Sequence, residues 1–431
     1  MLFTPFDIAL ARREAANRPI RVGLVGAGNL ARMITLQLVN PPPPGVRLVA
    51  VANRTVSRAA SLLDEIGGGG REISTVSALA DSIREGVLAF TGDAGLLTTC
   101  EEIDVVVDAT GSVDFALNVA LTAFAHRKHV VLANAELDST LGPVLRRRAD
   151  AAGVVYTNID GDEPGVAMNL IRYARSLGLR PVAAGNLKGM IDPYRNPDTQ
   201  LEFARKHGQN PRIMTSFADG TKLAMEATIL ANATGFRVGQ PGMYGPTCRH
   251  VREIAGLLPS EKMLEYGLVD YALGAEPHTG AFVVVWEPEP ARQRWLQYLK
   301  MGDGPFYVLY TPYHLPHIQI ISSIARAVES RDATVASLHS PACQVVCRAK
   351  FDLPAGTILD GPGGFTCYGQ IDNYVAPPIG KRGLPIALSA GASLRRSIAR
   401  DDRICVDDVA GTGEAAALAL WQDMQMTASG G

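Results

Sequence analysis

The chain has 431 residues, of which 47% are hydrophobic and 19% charged, and its formal net charge is -2. This length allows two or three domains with cores of their own. A nearly neutral chain without a Lys/Arg block excludes a general nucleic-acid or membrane-surface partner, so we expect a small-molecule substrate.

The termini and the cysteines add little chemistry. Residues 1–17 carry several charged side chains within an amphipathic pattern, which is not the pattern of a signal peptide. No apolar run of the sequence approaches the roughly 18 residues that a membrane span needs. Cys343 and Cys347 could bind a metal, but no matching His/Cys pair follows, so buried structural thiols are favoured. We therefore expect a cytoplasmic protein.

The first predicted elements form a βαβ unit. Residues 20–26 have the apolar pattern of a buried strand, residues 32–39 that of a helix and residues 47–53 that of a second strand. Such a unit is the core of a nucleotide-binding fold.

Further strands of the same kind follow. Residues 103–108, 129–134 and 154–159 are bare apolar runs, typical of strands buried on both faces, and residues 115–127 form a helix between the first two. The sequence therefore predicts an α/β fold whose residues 1–160 form a Rossmann domain with a doubly wound parallel sheet.

The turn after the first strand matches a dinucleotide-binding fingerprint. Gly26 allows a tight turn, Gly28 lets the backbone approach a pyrophosphate at a helix N-terminus, and Ala31 is a permitted third residue. Many tight turns look similar, but here the strand, the helix and the second strand are all in place. The predicted cofactor-binding residues are Gly26, Gly28, Asn29, Leu30, Ala31, Asn53, Arg54, Ala109, Thr110, Gly111 and Asn134.

The end of the second strand favours NADP(H). An NAD-selective site would place an acidic residue there, whereas Asn53 carries no charge and Arg54 can pair with a 2′-phosphate. Alternatively, Arg54 and Arg58 are simply exposed residues at the start of a helix. Residues 108–112 and Asn134 follow later strands, where an open sheet places its ligand, so we expect them to line the nicotinamide side.

From about residue 160 the pattern changes to longer helices mixed with strands. Residues 161–335 therefore predict an α+β catalytic and oligomerisation domain, in which the helix at 317–329 packs back on the first domain. Residues 336–431 are the last predicted domain, in which residues 345–408 are rich in Gly and Pro with short strands and residues 414–424 form a terminal helix. The other predicted elements are helices at 166–177, 221–234 and 251–258 and strands at 281–286 and 306–310.

Charged residues cluster at two places in this second half. Asp160, Asp162 and Glu163 lie at a strand-to-helix junction, where close carboxylates need a cation or a lysine, unless they only cap the next helix. Lys222 and Glu226 lie four positions apart on one helix, where they could also form an ordinary ion pair. His314 and His317 flank Pro316, and we interpret them as structural.

Several segments resemble homoserine dehydrogenases, with exchanged charges. Residues 219–231 resemble their catalytic helix, in which an acidic residue precedes a lysine by four positions, but here Lys222 comes first and Glu226 second. Residues 132–136 resemble their Ala-Asn-Lys loop, with Ala135 in place of the lysine. Residues 159–164 carry three carboxylates where those enzymes have a glycine-rich turn, and residues 185–189 resemble their substrate loop.

The C-terminal third narrows the resemblance. Residues 349–364 and 384–391 are similar to SAF domains. Over nearly its whole length the chain resembles the homoserine dehydrogenase superfamily, and more closely its branch of 1-deoxy-D-xylulose 5-phosphate reductoisomerase-like (DRL) proteins, which carry an SAF-like C-terminal domain.

The resemblance implies an NADPH-dependent oxidoreductase of isoprenoid biosynthesis, with conversion of 1-deoxy-D-xylulose 5-phosphate to 2-C-methyl-D-erythritol 4-phosphate as the specific expectation. In that scheme Asp162, Glu163 and Glu226 hold Mg²⁺ or Mn²⁺, and Lys188 and Lys222 neutralise oxyanion or phosphate charge. These five residues are the predicted catalytic set. We also expect a homodimer or homotetramer. A plain NAD(P)-dependent dehydrogenase of the homoserine dehydrogenase type and a non-catalytic NADP(H) sensor are the alternatives.

Overall fold

A parallel sheet forms the first part of the molecule, in a computed structural model that describes residues 6–374 and 378–428. Its strand order is β3-β4-β2-β1-β5-β6-β7, and every neighbouring pair is parallel. The strands are β1 (Ile20–Val25), β2 (Val46–Ala52), β3 (Arg71–Glu72), β4 (Ala89–Thr91), β5 (Val105–Asp108), β6 (His129–Leu132) and β7 (Tyr156–Asn158). The predicted doubly wound sheet is confirmed.

Helices cover both faces of this sheet. They are α1 (Asp7–Ala15), α2 (Asn29–Val39), α3 (Val56–Glu65), α4 (Val76–Arg84), α5 (Ala94–Thr99), α6 (Val113–Ala125) and α7 (Ala135–Ala152). All residues of β5 and β6 are buried, as their unbroken apolar runs predict. The strand order reverses between β1 and β5, so the carboxyl ends of these two strands border the crevice in which such sheets bind ligands.

Two helices differ from the sequence prediction. We predicted a helix from residue 32, but α2 begins at Asn29, because Gly28 is extended and turns the chain directly into the helix. We did not predict α7, in which Gly142 and Pro143 are typical helix breakers. The burial of Leu137 and Leu141 on this helix outweighs that local preference.

A four-stranded mixed sheet forms the second part, in the order β11-β10-β8-β9. Strands β8 and β9 are parallel and the other pairs are antiparallel. Its strands are β8 (Arg180–Lys188), β9 (Leu268–Leu273), β10 (Ala281–Trp286) and β11 (Phe306–Thr311). The accompanying helices are α8 (Glu163–Ser176), α9 (Leu201–Lys206), α10 (Pro211–Ala218), α11 (Thr221–Thr234), α12 (Ile254–Leu257), α13 (Ser260–Glu265) and α14 (Pro290–Tyr298).

The prediction of a loop at residues 185–189 is wrong, because residues 185–188 are the last residues of strand β8. A side chain at Gly185 would lie 1.6 Å from the carbonyl oxygen of Asp270 on the neighbouring strand. The glycine is therefore needed for close strand packing rather than for a loop. Helix α11 has the predicted bounds, and all but a few of its residues are buried.

The last part returns to the first. Helix α15 (Ile320–Ala325) continues into a π-helical turn over Arg326–Ser330 and packs Ile320 and Ile324 into the core beside β1, which confirms that the predicted helix packs back. Helix α16 (Ala415–Ala428) lies against α6 and α7. The remaining strands are β12 (Cys343–Ala349) and β13 (Cys367–Asn373), which pair antiparallel, and β14 (Ser393–Leu394) and β15 (Val409–Ala410), which do the same.

The cysteines and the lengths of the helices bear on two expectations from the sequence. Five of the six cysteines are buried, and all six are free thiols, as expected for structural cysteines. Within residues 6–374 and 378–428, no helix combines the length and apolar character that crossing a membrane requires. The domain boundaries at 160 and 335, the SAF-like character of the last region and the oligomeric state stay predictions.

Candidate active site

The glycine turn between β1 and α2 forms an open cradle. Gly26 has a φ of +120°, and a side chain there would lie 2.7 Å from the carbonyl oxygen of Ala109. At Gly28, no described atom lies within 4 Å of the position of a side chain. Helix α2 has no side-chain N-cap among the described residues, so its first N–H groups are free to bind an anion. These features fit the pyrophosphate of a dinucleotide.

The predicted nicotinamide side is held together by one buried carboxyl group. Asp108, at the end of β5, accepts hydrogen bonds from the backbone N–H and hydroxyl of Thr110, at 3.2 and 2.7 Å. The Asn134 amide donates to it at 3.2 Å, and Asn134 also caps α7 by accepting from the N–H of Leu137 at 3.0 Å. Burial raises the pKa of Asp108 to about 7. Thr110 and Asn134 are thus fixed side by side at the carboxyl edge of the sheet.

The ribose side gives less information. The Asn53 amide donates to the carbonyl oxygen of Thr55 at 2.9 Å. Arg54 and Arg58 are both exposed at the start of α3. Their exposure is compatible with a 2′-phosphate partner and equally with ordinary surface residues, so the choice of NADP(H) stays a prediction.

The acidic turn before α8 divides into two parts. Asp162 is the N-cap residue of α8, yet its side chain makes no capping hydrogen bond in the described structure, so capping does not account for it. Asp160 instead accepts a hydrogen bond from Asn169 at 2.8 Å, and its N–H donates to Ser323 at 2.7 Å. Asp160 therefore stabilises the turn, and Asp162 and Glu163 remain as candidate site residues.

Glu163 and Glu226 meet at one ammonium group. The Lys188 Nζ donates to Glu163 Oε1 at 2.7 Å and lies 3.5 Å from Glu226 Oε2. Lys222 Nζ is 4.0 Å from Glu226 Oε1, which is too long for a hydrogen bond. Glu226 accepts its hydrogen bond from the Asn186 amide instead, at 2.8 Å. Lys222 and Glu226 do form the i,i+4 ion pair that was the alternative, but it is long, and Glu226 lies nearer to Lys188 and Asn186.

The charges in this cluster shift one another strongly. Burial and the charge of Glu163 raise the pKa of Glu226 to about 8. Burial alone would raise the pKa of Glu163 as well, but the charges of Lys188 and His314 hold it at about 2. Burial also raises the pKa of Asp162, despite the nearby Lys222. Carboxyl groups whose pKa values diverge this far within one cluster are typical of catalytic sites.

Burial and neighbouring charges act on the pKa values of the two lysines in the opposite directions. Burial would lower the pKa of each, but Glu163 and Glu226 raise that of Lys188, and Asp162 and Glu136 raise that of Lys222. Both therefore stay ammonium groups. The charge of Glu136 also contributes to the raised pKa of Asp108, so it acts on both the nicotinamide side and the charged cluster.

The donor set fits a hard divalent cation. One carboxylate oxygen from each of Asp162, Glu163 and Glu226 lies within 4.8 Å of the others, and Asp162 is partly exposed. Carboxylate oxygens suit Mg²⁺ or Mn²⁺ better than Zn²⁺. Because the pKa of Glu226 is about 8, a bound cation would have to displace the proton of this carboxyl group. The requirement for a metal stays a prediction.

Sequence reasoning missed two residues of this cluster. His314, which we interpreted as structural, points Nε2 to within 3.6 Å of Glu163 Oε2, and its Nδ1 is 3.0 Å from the hydroxyl of Thr279. Asn186 was seen only as part of a motif. The sequence contains one signal, the glycine at position 161 within the acidic turn. A side chain there would lie 2.3 Å from the carbonyl oxygen of Leu315, so Gly161 allows the loop that carries His314 to approach the turn.

Two family models match the chain. Residues 161–320 match the model described as oxidoreductase DRL, catalytic domain, and residues 9–132 match that of shikimate / quinate 5-dehydrogenase. Each match spans less than half of the chain, and no curated protein matches it. Both models describe oxidoreductases, and with the glycine cradle they make the chain an NAD(P)-dependent oxidoreductase. The expected resemblance thus holds at the level of DRL-type oxidoreductases.

Several solved structures match most of the length of the chain, each at low similarity. A homoserine dehydrogenase from Thiobacillus denitrificans is 18% identical, with a TM-score of 0.43 over 77% of this chain and 83% of that one. A probable dehydrogenase from Thermotoga maritima is 14% identical, with a TM-score of 0.42 over 74% and 91%. A scyllo-inositol dehydrogenase from Lactobacillus casei is 11% identical, with a TM-score of 0.41 over 72% and 88%. Similarities this low carry no argument about substrate.

Proposed function

We propose that this oxidoreductase uses NADPH and a divalent cation to rearrange and reduce a small hydroxyketone or sugar phosphate. Our specific candidate is the conversion of 1-deoxy-D-xylulose 5-phosphate to 2-C-methyl-D-erythritol 4-phosphate. The observation that supports the proposal is the meeting of three carboxylates and two lysines at one cluster. The charge of Glu136, two residues after Asn134 of the predicted nicotinamide side, acts on Lys222 of this cluster.

The charges of the cluster suit such a substrate. Adjacent hydroxyl and carbonyl oxygens chelate a hard cation, which Asp162, Glu163 and Glu226 would hold. When bound, the cation polarises these oxygens and the reduced nicotinamide supplies a hydride. Lys188 and Lys222 remain ammonium groups and neutralise negative charge that develops on an oxygen or resides on a phosphate.

The surrounding residues position the charged ones. Asn186 fixes the Glu226 carboxylate by a 2.8 Å hydrogen bond from the neighbouring strand β8. Thr279 holds the ring of His314, whose other nitrogen faces Glu163. Burial of Glu163 and Glu226 limits water around them, which strengthens every electrostatic interaction with a substrate.

A plain NAD(P)-dependent dehydrogenase is the second candidate. One observation favours it: Lys188 already lies 2.7 and 3.5 Å from two of the three proposed cation ligands, so the lysines neutralise most of the carboxylate charge by themselves. In that case an ammonium group would donate a proton to the reduced carbonyl without a prior rearrangement.

The two candidates differ in what they require. NADPH oxidation can be followed with 1-deoxy-D-xylulose 5-phosphate and, separately, with a short aldehyde that has no neighbouring hydroxyl group, each with Mn²⁺ or with excess chelator. Our proposal expects turnover of the hydroxyketone phosphate alone, and only with Mn²⁺. Turnover of the simple aldehyde in excess chelator would establish the plain dehydrogenase instead.

A further inference from the structure

The second half of the chain reaches across to the dinucleotide cradle at one point. Asn29, the first residue of α2, donates its side-chain amide to Gln209 Oε1 at 2.8 Å and to the carbonyl oxygen of Gly208 at 3.1 Å. Gly208 and Gln209 connect α9 to α10. We call residues 201–218, which comprise these two helices and their connection, the flap. Its tip thus rests on the helix end that the cradle offers to a pyrophosphate.

The base of the flap is firmly anchored in the C-terminal region. Asp219, directly after the flap, binds the buried Lys350 ammonium at 2.9 Å, and this ammonium also donates to the carbonyl oxygens of Arg195 and Gly364, at 2.6 and 2.7 Å. The Arg212 guanidinium donates to the carbonyl oxygen of Asp360.

The backbone packs tightly at the same place. A side chain at Gly363 would lie 2.0 Å from the carbonyl oxygen of Arg212, so this glycine permits the C-terminal region to approach α10 closely. The base of the flap therefore cannot move without breaking buried contacts.

The tip is held much more weakly. Arg205, Lys206 and His207 are exposed, and the two hydrogen bonds of Asn29 join the tip to the cradle. Segments with few buried contacts open at a low free-energy cost. The positive charges of Arg205 and Lys206 also favour the approach of the phosphate groups of a dinucleotide.

We propose that the flap is a gate over the cofactor, closed by the Asn29–Gln209 contact and hinged on the C-terminal region. Release and uptake of the dinucleotide then require this contact to break. The proposal rests on dinucleotide binding at the glycine cradle. It gives Gln209 a positioning role and the C-terminal region a structural role in controlling cofactor exchange.

Limited trypsin digestion measures the gate without turnover. Trypsin can cut after Arg205 and Lys206, and a gate that opens more often is cut faster. Gln209→Met keeps the length of the side chain but removes the acceptor, so we expect cleavage there to accelerate about two- to twelvefold, the equivalent of one net hydrogen bond. Gln209→Glu keeps an acceptor for Asn29 and should be cut at the wild-type rate.

The exchange of NADPH supplies the second readout, by stopped-flow fluorescence. For Gln209→Met we expect the association and dissociation rates of NADPH to rise together, because a gate limits both directions, whereas a residue that only contacts the cofactor changes mainly dissociation. Gln297→Met is the matched control. Gln297 donates a hydrogen bond to Asp303, and both residues are far from the flap in the sequence, so this variant should change neither rate.

The outcomes separate the gate from the function. Unchanged cleavage in Gln209→Met, or NADPH rates equal to wild type, would overturn the gate while leaving the oxidoreductase assignment intact. Failure of the wild-type protein to bind any nicotinamide dinucleotide would overturn the cradle, and the gate with it.

Discussion

Removing the ammonium group of Lys188 should be among the most destabilising single changes in the charged cluster. This group donates to Glu163 at 2.7 Å and lies 3.5 Å from Glu226, and both carboxyl groups are buried. Lys188→Met has a similar length and no charge, so it leaves two buried carboxyl groups without their nearest cation. Breaking a buried pair from one side typically costs about 3–5 kcal/mol.

The pKa of Glu163 gives a consistent magnitude. It is held at about 2, against an ordinary value of 4.5, which corresponds to about 3 kcal/mol in the metal-free protein. Because this pKa is lowered on folding, the stabilisation is complete above pH 4.5 and is lost as the pH falls towards 2. Without Lys188, burial dominates and the pKa of Glu163 rises above 4.5, so the variant should be penalised more at pH 8 than at pH 5.

Urea denaturation of the metal-free protein, followed by circular dichroism, measures this effect. We expect the free energy of unfolding to fall by about 3–5 kcal/mol at pH 8. Adding Glu163→Gln to Lys188→Met should restore part of the loss, since it removes an uncompensated charge. The same lysine-to-methionine change at exposed Lys300 is the control. A loss below about 0.5 kcal/mol, the range of ordinary surface substitutions, would refute the reasoning.

Three further predictions concern the reaction and its ligands. Glu226→Gln keeps the shape of the side chain but should lower kcat by about 10²–10⁴-fold, with NADPH affinity nearly unchanged; a wild-type rate would make Glu226 a structural residue. Arg54→Ala should reduce the preference for NADPH over NADH by about 1.5–3 kcal/mol in binding titrations, and equal wild-type affinities would contradict the assigned role. Asp162→Asn should raise the Mn²⁺ concentration needed for half-maximal activity, whereas full wild-type activity in excess chelator would exclude the metal.

The fold could be predicted from the sequence where one local pattern dominates. The strands around the glycine turn are largely apolar runs, and Gly26 has a positive φ that few other residues adopt, whereas Gly28 leaves open space at the start of α2. Helix α7 was missed because Gly142 and Pro143 signal a break, and only tertiary burial keeps it helical. Residues 185–188, the end of strand β8, resemble a substrate loop in sequence, because the need for Gly185 is explained only by the neighbouring strand.

The candidate site shows the same limit. Asp162, Glu163 and Glu226 could be proposed because charged residues in apolar surroundings need an explanation. Their common location with Lys188 is a tertiary fact, as is the approach of His314 through the space left at Gly161. Nothing near Gln209 in the sequence indicates that it touches Asn29, because the two residues are far apart in the chain and each looks like an ordinary loop or helix-start residue.

Tracing the carbon skeleton of the product tests the proposed reaction most directly. The protein would be incubated with ¹³C-labelled 1-deoxy-D-xylulose 5-phosphate, NADPH and Mn²⁺, and the product examined by NMR. We predict a branched polyol phosphate, formed in a 1:1 ratio to the NADPH oxidised and absent with Glu226→Gln. A reduced product with an unbranched skeleton, or no NADPH oxidation by protein that binds the cofactor, would contradict the proposed reaction.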